Sequence, residues 1–229
     1  MIGVFDSGAG GITVMRELRA ISPSCDLVFF PDRKNAPYGI KSEKELVRLV
    51  ERDIELLISH GADEVLMACC TASTVHQLIN KSLRKRSIPI IKPTAKAAAR
   101  ATASGRVGVI ATEATVRSGA FSKELSALGI HEVTELASGR LVDIIERGAR
   151  DGSLAEKDAR WLSAHLAPLR EHGIDTLILG CTHFPHLWGE ISARLPEVKI
   201  ISSSREAAIE AVKNTRPTGN GKTVYIASK

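Results

Sequence analysis

Short apolar runs alternate with segments of helical period along this chain. Ile2, Val4 and Phe5 make the first run, followed by the Gly-rich turn Asp6-Ser7-Gly8-Ala9-Gly10-Gly11. Ile12, Met15 and Leu18 then keep helical spacing. A brief apolar run bounded by turn residues predicts a buried parallel strand, and repeats at i, i+3 and i+4 predict an amphipathic helix. Further strands are predicted at 26–30, around Val65-Leu66-Met67, at 88–91, 106–110 and 131–137, around Leu177-Ile178-Leu179, and at 198–202 and 223–227. Ser42 with Glu45 reads as a capping box opening a helix whose one face carries Leu46, Leu49, Val50, Ile54 and Leu57. Other helices are predicted from Thr71 through Leu83 and over 94–104, 119–128, 139–149, 154–171, 186–194 and 206–213. Residues 31–39 and 214–222 read as Pro/Gly loops. Strands alternating with helices throughout argue for parallel sheets with right-handed crossovers, an α/β fold.

One stretch occurs twice. GADEVLMACCTAS at 61–73 superimposes on GIDTLILGCTHFP at 173–185 with a shift of 112 positions, which brings Asp63 onto Asp175 and Cys69 onto Cys181. Val107-Gly108-Val109-Ile110 likewise echoes Ile2-Gly3-Val4-Phe5, with Thr112 in the place of Ser7. Two echoes in the same order imply an internal duplication of an α/β unit. The domains are therefore expected at 1–93 plus about 206–229, and at 94–205.

Composition narrows the function classes. The chain has 229 residues, 44% hydrophobic and 25% charged, with a formal charge of +5. That suits a globular protein. No run approaches the ~18 apolar residues of a membrane span. The chain opens directly on a strand, so a cytoplasmic protein without a secretory leader is expected. The basic run KSLRKR at 81–86 reads as a solvated helix end, and nine aromatic residues are few for a base-stacking surface, so nucleic acid is not an expected partner. Four cysteines, two of them adjacent, form neither a disulfide framework nor a C-x-x-C site, and no metal is expected.

Chemistry enters through the repeated cysteine. A single Cys ending a buried strand usually packs as a small hydrophobe. Two at matching places of a repeat, each followed by hydroxyl residues or a histidine, point to paired half-sites at strand carboxyl ends, where ligands of open α/β sheets sit. Neighbours that lower a thiol's pKa make it a base. His183 stands two residues after Cys181, and Asp6 can approach Cys69 across neighbouring strand ends. A thiolate on one face of a carbon removes a proton, and a thiol on the other returns one, which inverts the centre without an electron-sink cofactor. Ser7, Thr71, Thr112 and Thr182 are donors of the type that stabilises an enolate-like carboxylate.

Five segments carry a family resemblance: Phe5-Asp6-Ser7-Gly8-Ala9-Gly10-Gly11, Ala36-Pro37-Tyr38-Gly39, Ala68-Cys69-x-Thr71-Ala72-Ser73, the run from Val107 to Val116, and Gly180-Cys181-Thr182-His183-Phe184-Pro185. In this order they resemble the glutamate racemase family, over nearly the whole chain. The resemblance implies two similar flavodoxin-like domains with the site between them, no cofactor, and interconversion of L- and D-glutamate for peptidoglycan synthesis. It implies Cys69 and Cys181 as the acid/base thiols, assisted by Asp6, His183 and Glu146, the last matching V-x-x-[VI]-E-x-G as Val142 to Gly148. It implies Asp6, Ser7, Pro37, Tyr38, Gly39, Cys70, Thr71, Thr112, Thr182 and His183 as substrate contacts. Cys70 stands where the family usually has an Asn, and the family's Cys-Pro step is absent at Ser138-Gly139. Three readings follow: a glutamate racemase, a related racemase of another amino acid such as aspartate, or an inactive homologue serving as a binding protein. A homodimer is left open.

Overall fold

The computed structural model describes residues 1–215 and 218–228, with Arg150 through its backbone alone; of the predicted loop 214–222, Arg216 and Pro217 lie outside the described residues. The chain divides into two compact units, Met1–Pro93 with Ser203–Lys229, and Thr94–Ser202.

In the first unit the strands are β1 (Ile2–Asp6), β2 (Leu27–Pro31), β3 (Glu64–Met67), β4 (Ser87–Pro89) and, near the end of the chain, β9 (Thr223–Tyr225). They pair in the order β4-β3-β1-β2-β9, every pair parallel. The second unit holds β5 (Arg106–Ala111), β6 (Glu132–Ala137), β7 (Thr176–Gly180) and β8 (Lys199–Ser202) in the order β6-β5-β7-β8, again all parallel. Counted within each unit, both sheets share the order 2-1-3-4, the doubly wound flavodoxin-like order, and the first carries β9 as a fifth strand beside β2. The duplication read from the cysteine repeat is thus a duplication of topology.

The two echoing glycines have one physical cause. A Cβ at Gly3 would stand 2.9 Å from Ala62 Cβ, and one at Gly108 would stand 2.5 Å from Ile174 Cδ1. At Gly3 the obstacle is the Cβ of Ala62, which cannot swing aside, and at Gly108 it is the far end of Ile174, which would have to repack.

Each unit has its own core. In the first, Phe5, Val28, Val65 and Met67 meet the apolar face of the helix Glu43–Ser59. In the second, Ile110, Leu177 and Leu179 meet Leu141, Ile144 and Leu162. Cys69 belongs to the first cluster and Cys181 to the second. The helix Gly11–Ile21 packs beside the terminal helix Ser203–Thr215, where Thr13 Oγ1 and Ser204 Oγ lie 2.8 Å apart.

Four local expectations are corrected. The helix predicted from Thr71 through Leu83 is two short ones, Cys70–Ser73 and Lys81–Arg84. Between them Ser73 Oγ donates to the Met67 carbonyl and Thr74 Oγ1 to the Thr71 carbonyl, and Asn80 caps a fresh start by accepting from Ser82 N. Hydroxyl side chains that bond nearby backbone compete with the helical ladder. The segment 119–128 is helical over Ala120–Ser126, preceded by an unpredicted helix Glu113–Ser118; the two are separated at Gly119, whose φ of 61° is left-handed. The helix predicted over 154–171 breaks into Glu156–His165 and Ala167–Glu171 because Pro168 cannot continue the ladder. The capping box is half formed: Ser42 Oγ accepts from Glu45 N, whereas the Glu45 carboxylate pairs with Lys41 at 2.9 Å.

Candidate active site

The sheet order decides where each cysteine falls. In a 2-1-3-4 sheet the chain leaves strand one in one direction and returns on its other side, so strands one and three flank the switch point where ligands collect. Strands β1 and β3 pair with Phe5 opposite Met67, and Ala68 N donates to the Phe5 carbonyl at 2.9 Å. The chain then delivers Asp6 and Ser7 from one strand and Cys69 from the other. Ser7 Oγ lies 3.4 Å from Cys69 Sγ. The Cys69 side chain also caps the helix Cys70–Ser73, with Sγ accepting from Ala72 N at 3.4 Å. Asp6 is almost wholly buried and accepts from Gly8 N at 2.7 Å through Oδ1. Cys70 and Thr71 are buried just beyond.

This environment does not make Cys69 a thiolate. Burial, followed by the charge of Asp6, pushes its thiol up to about 11, against the pull of Ser7 and Ala72. The expectation that its neighbours would lower the thiol's pKa is corrected here. A sulfur in a dry strand end beside a carboxylate keeps its proton at neutral pH. In this half-site the stable form is the acid.

Residues 36–39 meet the same half-site from the loop after β2. Asp32 N donates to the Asp6 carbonyl at 2.8 Å, which ties that loop to the end of β1. Pro37 is exposed and Gly39 half-buried, whereas Tyr38 points inward. Its hydroxyl lies 2.8 Å from Asp32 Oδ2 and 2.6 Å from Asp53 Oδ2, so it is engaged with protein carboxyls. Asp32, Asp53 and Arg52 were not among the residues singled out from the sequence. Asp53 carried a readable signal, because it interrupts the stripe Leu46, Leu49, Val50, Ile54, Leu57 at a core position. Asp32 carried none.

The second half-site repeats the plan with different chemistry. Strands β5 and β7 pair with Ala111 opposite Gly180, so Thr112 and Cys181 leave neighbouring strand ends. Thr112 caps the helix Glu113–Ser118, and its Oγ1 lies 3.0 Å from Thr115 Oγ1. Cys181 and Thr182 are buried. Cys181 Sγ faces His183 Nδ1 at 3.7 Å, and His183 Nε2 meets Glu146 Oε1 at 3.1 Å. Glu146 comes from the helix Arg140–Arg147, whose apolar face packs into the core of this unit. Thiol, imidazole and carboxylate form a chain along which a proton can leave sulfur for a ring nitrogen.

Among the described residues, no group of three or more His, Cys, Asp or Glu side chains is arranged to hold a metal ion, and no helix is long and apolar enough to cross a membrane.

Comparison with known proteins gives a consistent result. Residues 13–211 match the family model described as Asp/Glu/Hydantoin racemase. Glutamate racemase from Desulforudis audaxviator (strain MP104C) is 45% identical over 203 residues, covering 87% of this chain and 73% of that protein. The crystal structure of glutamate racemase isoform RacE1 from Bacillus anthracis superimposes with a TM-score of 0.88 at 32% identity, covering 98% of this chain and 86% of that one. The glutamate racemase of Francisella tularensis subsp. tularensis SCHU S4, solved in complex with D-glutamate, gives a TM-score of 0.85 at 29% identity over 98% and 86% of the two chains.

Proposed function

This chain belongs to the Asp/Glu/Hydantoin racemase family, and from that premise we propose that it interconverts L- and D-glutamate by two-base proton transfer at the α-carbon. The observation that carries the reading is the pair of strand-end thiols at equivalent places of a duplicated sheet, each with its own proton partner. The glutamate racemases aligned over nearly the whole chain support glutamate as the substrate. D-Glutamate formed in this way would serve peptidoglycan synthesis. We place the protein in the cytoplasm, a reducing compartment in which its four free thiols persist.

The two half-sites suit complementary steps. Cys181 passes its proton to His183 Nδ1, and the carboxylate of Glu146 holds the imidazolium through Nε2. The Cys181 thiolate then takes the α-proton of one enantiomer. Cys69, a protonated thiol, delivers a proton to the opposite face and becomes a thiolate. Each thiol ends in the form the other began with, so the reverse reaction uses the same groups in exchanged roles. Removing a proton α to a carboxylate builds negative charge on the carboxylate oxygens, and Ser7, Thr71 and Thr182 are the hydroxyls proposed to meet it. Pro37 and Gly39 lie beside Tyr38 in the loop proposed to hold the substrate through its backbone.

The direct experiment incubates the purified protein with L-glutamate in D₂O without any added cofactor. D-Glutamate carrying deuterium at the α-carbon is the expected product, read by chiral chromatography and mass spectrometry. Product that keeps the original α-hydrogen would remove the two-base reading. Turnover of aspartate but not glutamate would move the substrate assignment to the related racemases.

A further inference from the structure

Beneath the loop that bears Pro37 and Gly39 lies a buried polar cluster that the proton-transfer chemistry does not use. Tyr38, Asp32 and Asp53 are each at most 2% exposed. Arg52 reaches in from the surface. Its Nη2 lies 2.5 Å from Asp32 Oδ2 and 2.5 Å from Asp53 Oδ1, and its Nε lies 3.0 Å from Asp53 Oδ1. Asn35 Nδ2 donates to both oxygens of Asp32 at 3.0 Å.

The proton count is informative. The Tyr38 oxygen touches a carboxyl oxygen on each side, at 2.6 and 2.8 Å. A phenol has one proton, so it donates to one of them. The other contact is attractive only if that carboxyl carries a proton of its own and donates to the phenol oxygen. The shorter contact is the one to Asp53, the fully buried group. With Asp53 as the acid, Tyr38 donates to Asp32, each side-chain oxygen of Tyr38, Asp32 and Asp53 has a partner, and the single positive charge of Arg52 meets a single negative one.

We propose that Asp53, as a carboxylic acid, is a positioning residue for the substrate loop: through Tyr38 and Asp32 it holds residues 37–39 against the strand end that carries Asp6 and Ser7. This rests on the glutamate racemase reading of the site given above. Two independent features support it. Asp32 is the junction of the cluster and also donates its backbone N–H to the Asp6 carbonyl, so the loop is pinned to the half-site by one residue. Asp53 occupies a core position on its helix, between Val50 and Ile54 on one side and Leu57 on the other, where an apolar residue would pack without a buried polar cost. Burial also raises the Asp53 acid to about 6, the direction the proton count calls for, so the acid form is the one favoured below that pH.

The test compares Asp53→Asn, Asp53→Leu and Tyr38→Phe with the unaltered protein. A carboxamide can donate to the phenol oxygen and accept from Arg52, as the acid does, so Asp53→Asn is expected to keep KM for glutamate within about threefold. Asp53→Leu and Tyr38→Phe lose the anchor, and each is expected to raise KM by roughly tenfold or more with kcat little changed. Amide hydrogen exchange over residues 36–41 is expected to speed up in Asp53→Leu and Tyr38→Phe and to stay slow in Asp53→Asn. Should Asp53→Leu not fold, Tyr38→Phe makes the same comparison with the ring retained. Unchanged KM and unchanged exchange in the anchorless variants overturn the proposal, as does an Asp53→Asn protein as impaired as Asp53→Leu. If the unaltered protein does not racemise glutamate, the functional reading falls, and the exchange measurement alone decides whether Asp53 holds the loop.

Discussion

Glu146 Oε1 stands 3.1 Å from His183 Nε2, on the ring edge opposite the one that faces Cys181. A carboxylate in that place holds the proton on Nε2 and leaves the Nδ1 lone pair directed at sulfur. The ring is then ready to accept the thiol proton. His183 is mostly buried, and Glu146 lies half in solvent. Replacing Glu146 by Gln keeps a hydrogen-bonding shape without the charge. A fall in kcat of about tenfold, with KM little altered, is expected, and His183→Ala is expected to lose about 10²-fold or more in kcat. Steady-state kinetics on both enantiomers check this; equal kcat in Glu146→Gln and the unaltered protein would leave the carboxylate a bystander.

In the proposed reaction each thiol has its own step, so neither substitutes for the other. Cys69→Ala and Cys181→Ala are each expected to abolish racemisation while leaving the fold intact, because both side chains are small and their cores lose one sulfur. Chiral chromatography of the products together with circular dichroism of the variants makes the comparison. A fully active single variant would show that one base suffices.

Cys69 owes part of its elevated pKa to the negative charge of Asp6, after the larger effect of burial. Alkylation of Cys69 by iodoacetamide should therefore be slow at neutral pH and rise toward a midpoint of about 11. Asp6→Asn removes the repelling charge, so the midpoint should move down and alkylation at pH 8 should quicken. Peptide mass spectrometry separates Cys69 from the other cysteines. A slower reaction in Asp6→Asn would contradict the electrostatic account.

Asp53 links the cluster beneath Tyr38 to pH. Its acid is raised from the ordinary value of 3.8 to about 6, chiefly by burial. For an acid whose pKa is higher in the folded state, folding binds a proton between those two values. Stability is therefore greatest below the unfolded pKa and declines as pH rises through about 4 to 6, by a loss on the order of 1–3 kcal/mol. Asp53→Asn cannot titrate, so it should lack this component. Urea unfolding of both proteins at pH 4.5 and pH 7 measures the difference; parallel pH profiles would show that Asp53 does not hold its proton.

Cys70 is buried next to Cys69, at the start of the helix Cys70–Ser73. A thiol makes weak hydrogen bonds where the carboxamide common in the resembling family makes strong ones. Cys70→Asn should lower KM for glutamate by about tenfold, the value of one recovered hydrogen bond. An unchanged KM would mean that residue 70 does not touch the substrate.

The candidate residues differed in how far the chain alone exposed them. Cys69 and Cys181 were legible because a repeated motif marks equivalent strand ends. His183 was legible because it lies two positions from its thiol. Glu146 lies 37 positions from its ring partner, so only family resemblance drew it out. Asp53 left a trace as a carboxylate on an apolar stripe, but its meaning depended on Tyr38 arriving from another loop.

Strand and helix order, the duplication and the placing of a cysteine at the end of each third strand were settled by the chain itself, because periodicity and turn residues act over a few neighbouring positions. Tertiary structure decided which strands became neighbours, and with that the meeting of Ser7 with Cys69 across β1 and β3. It also decided that Cys69 keeps its proton, that Tyr38 faces two carboxyls, and that two long helices break. Those outcomes depend on burial and on charges brought close from distant positions, and such terms exist only once the sheet has formed and excluded water.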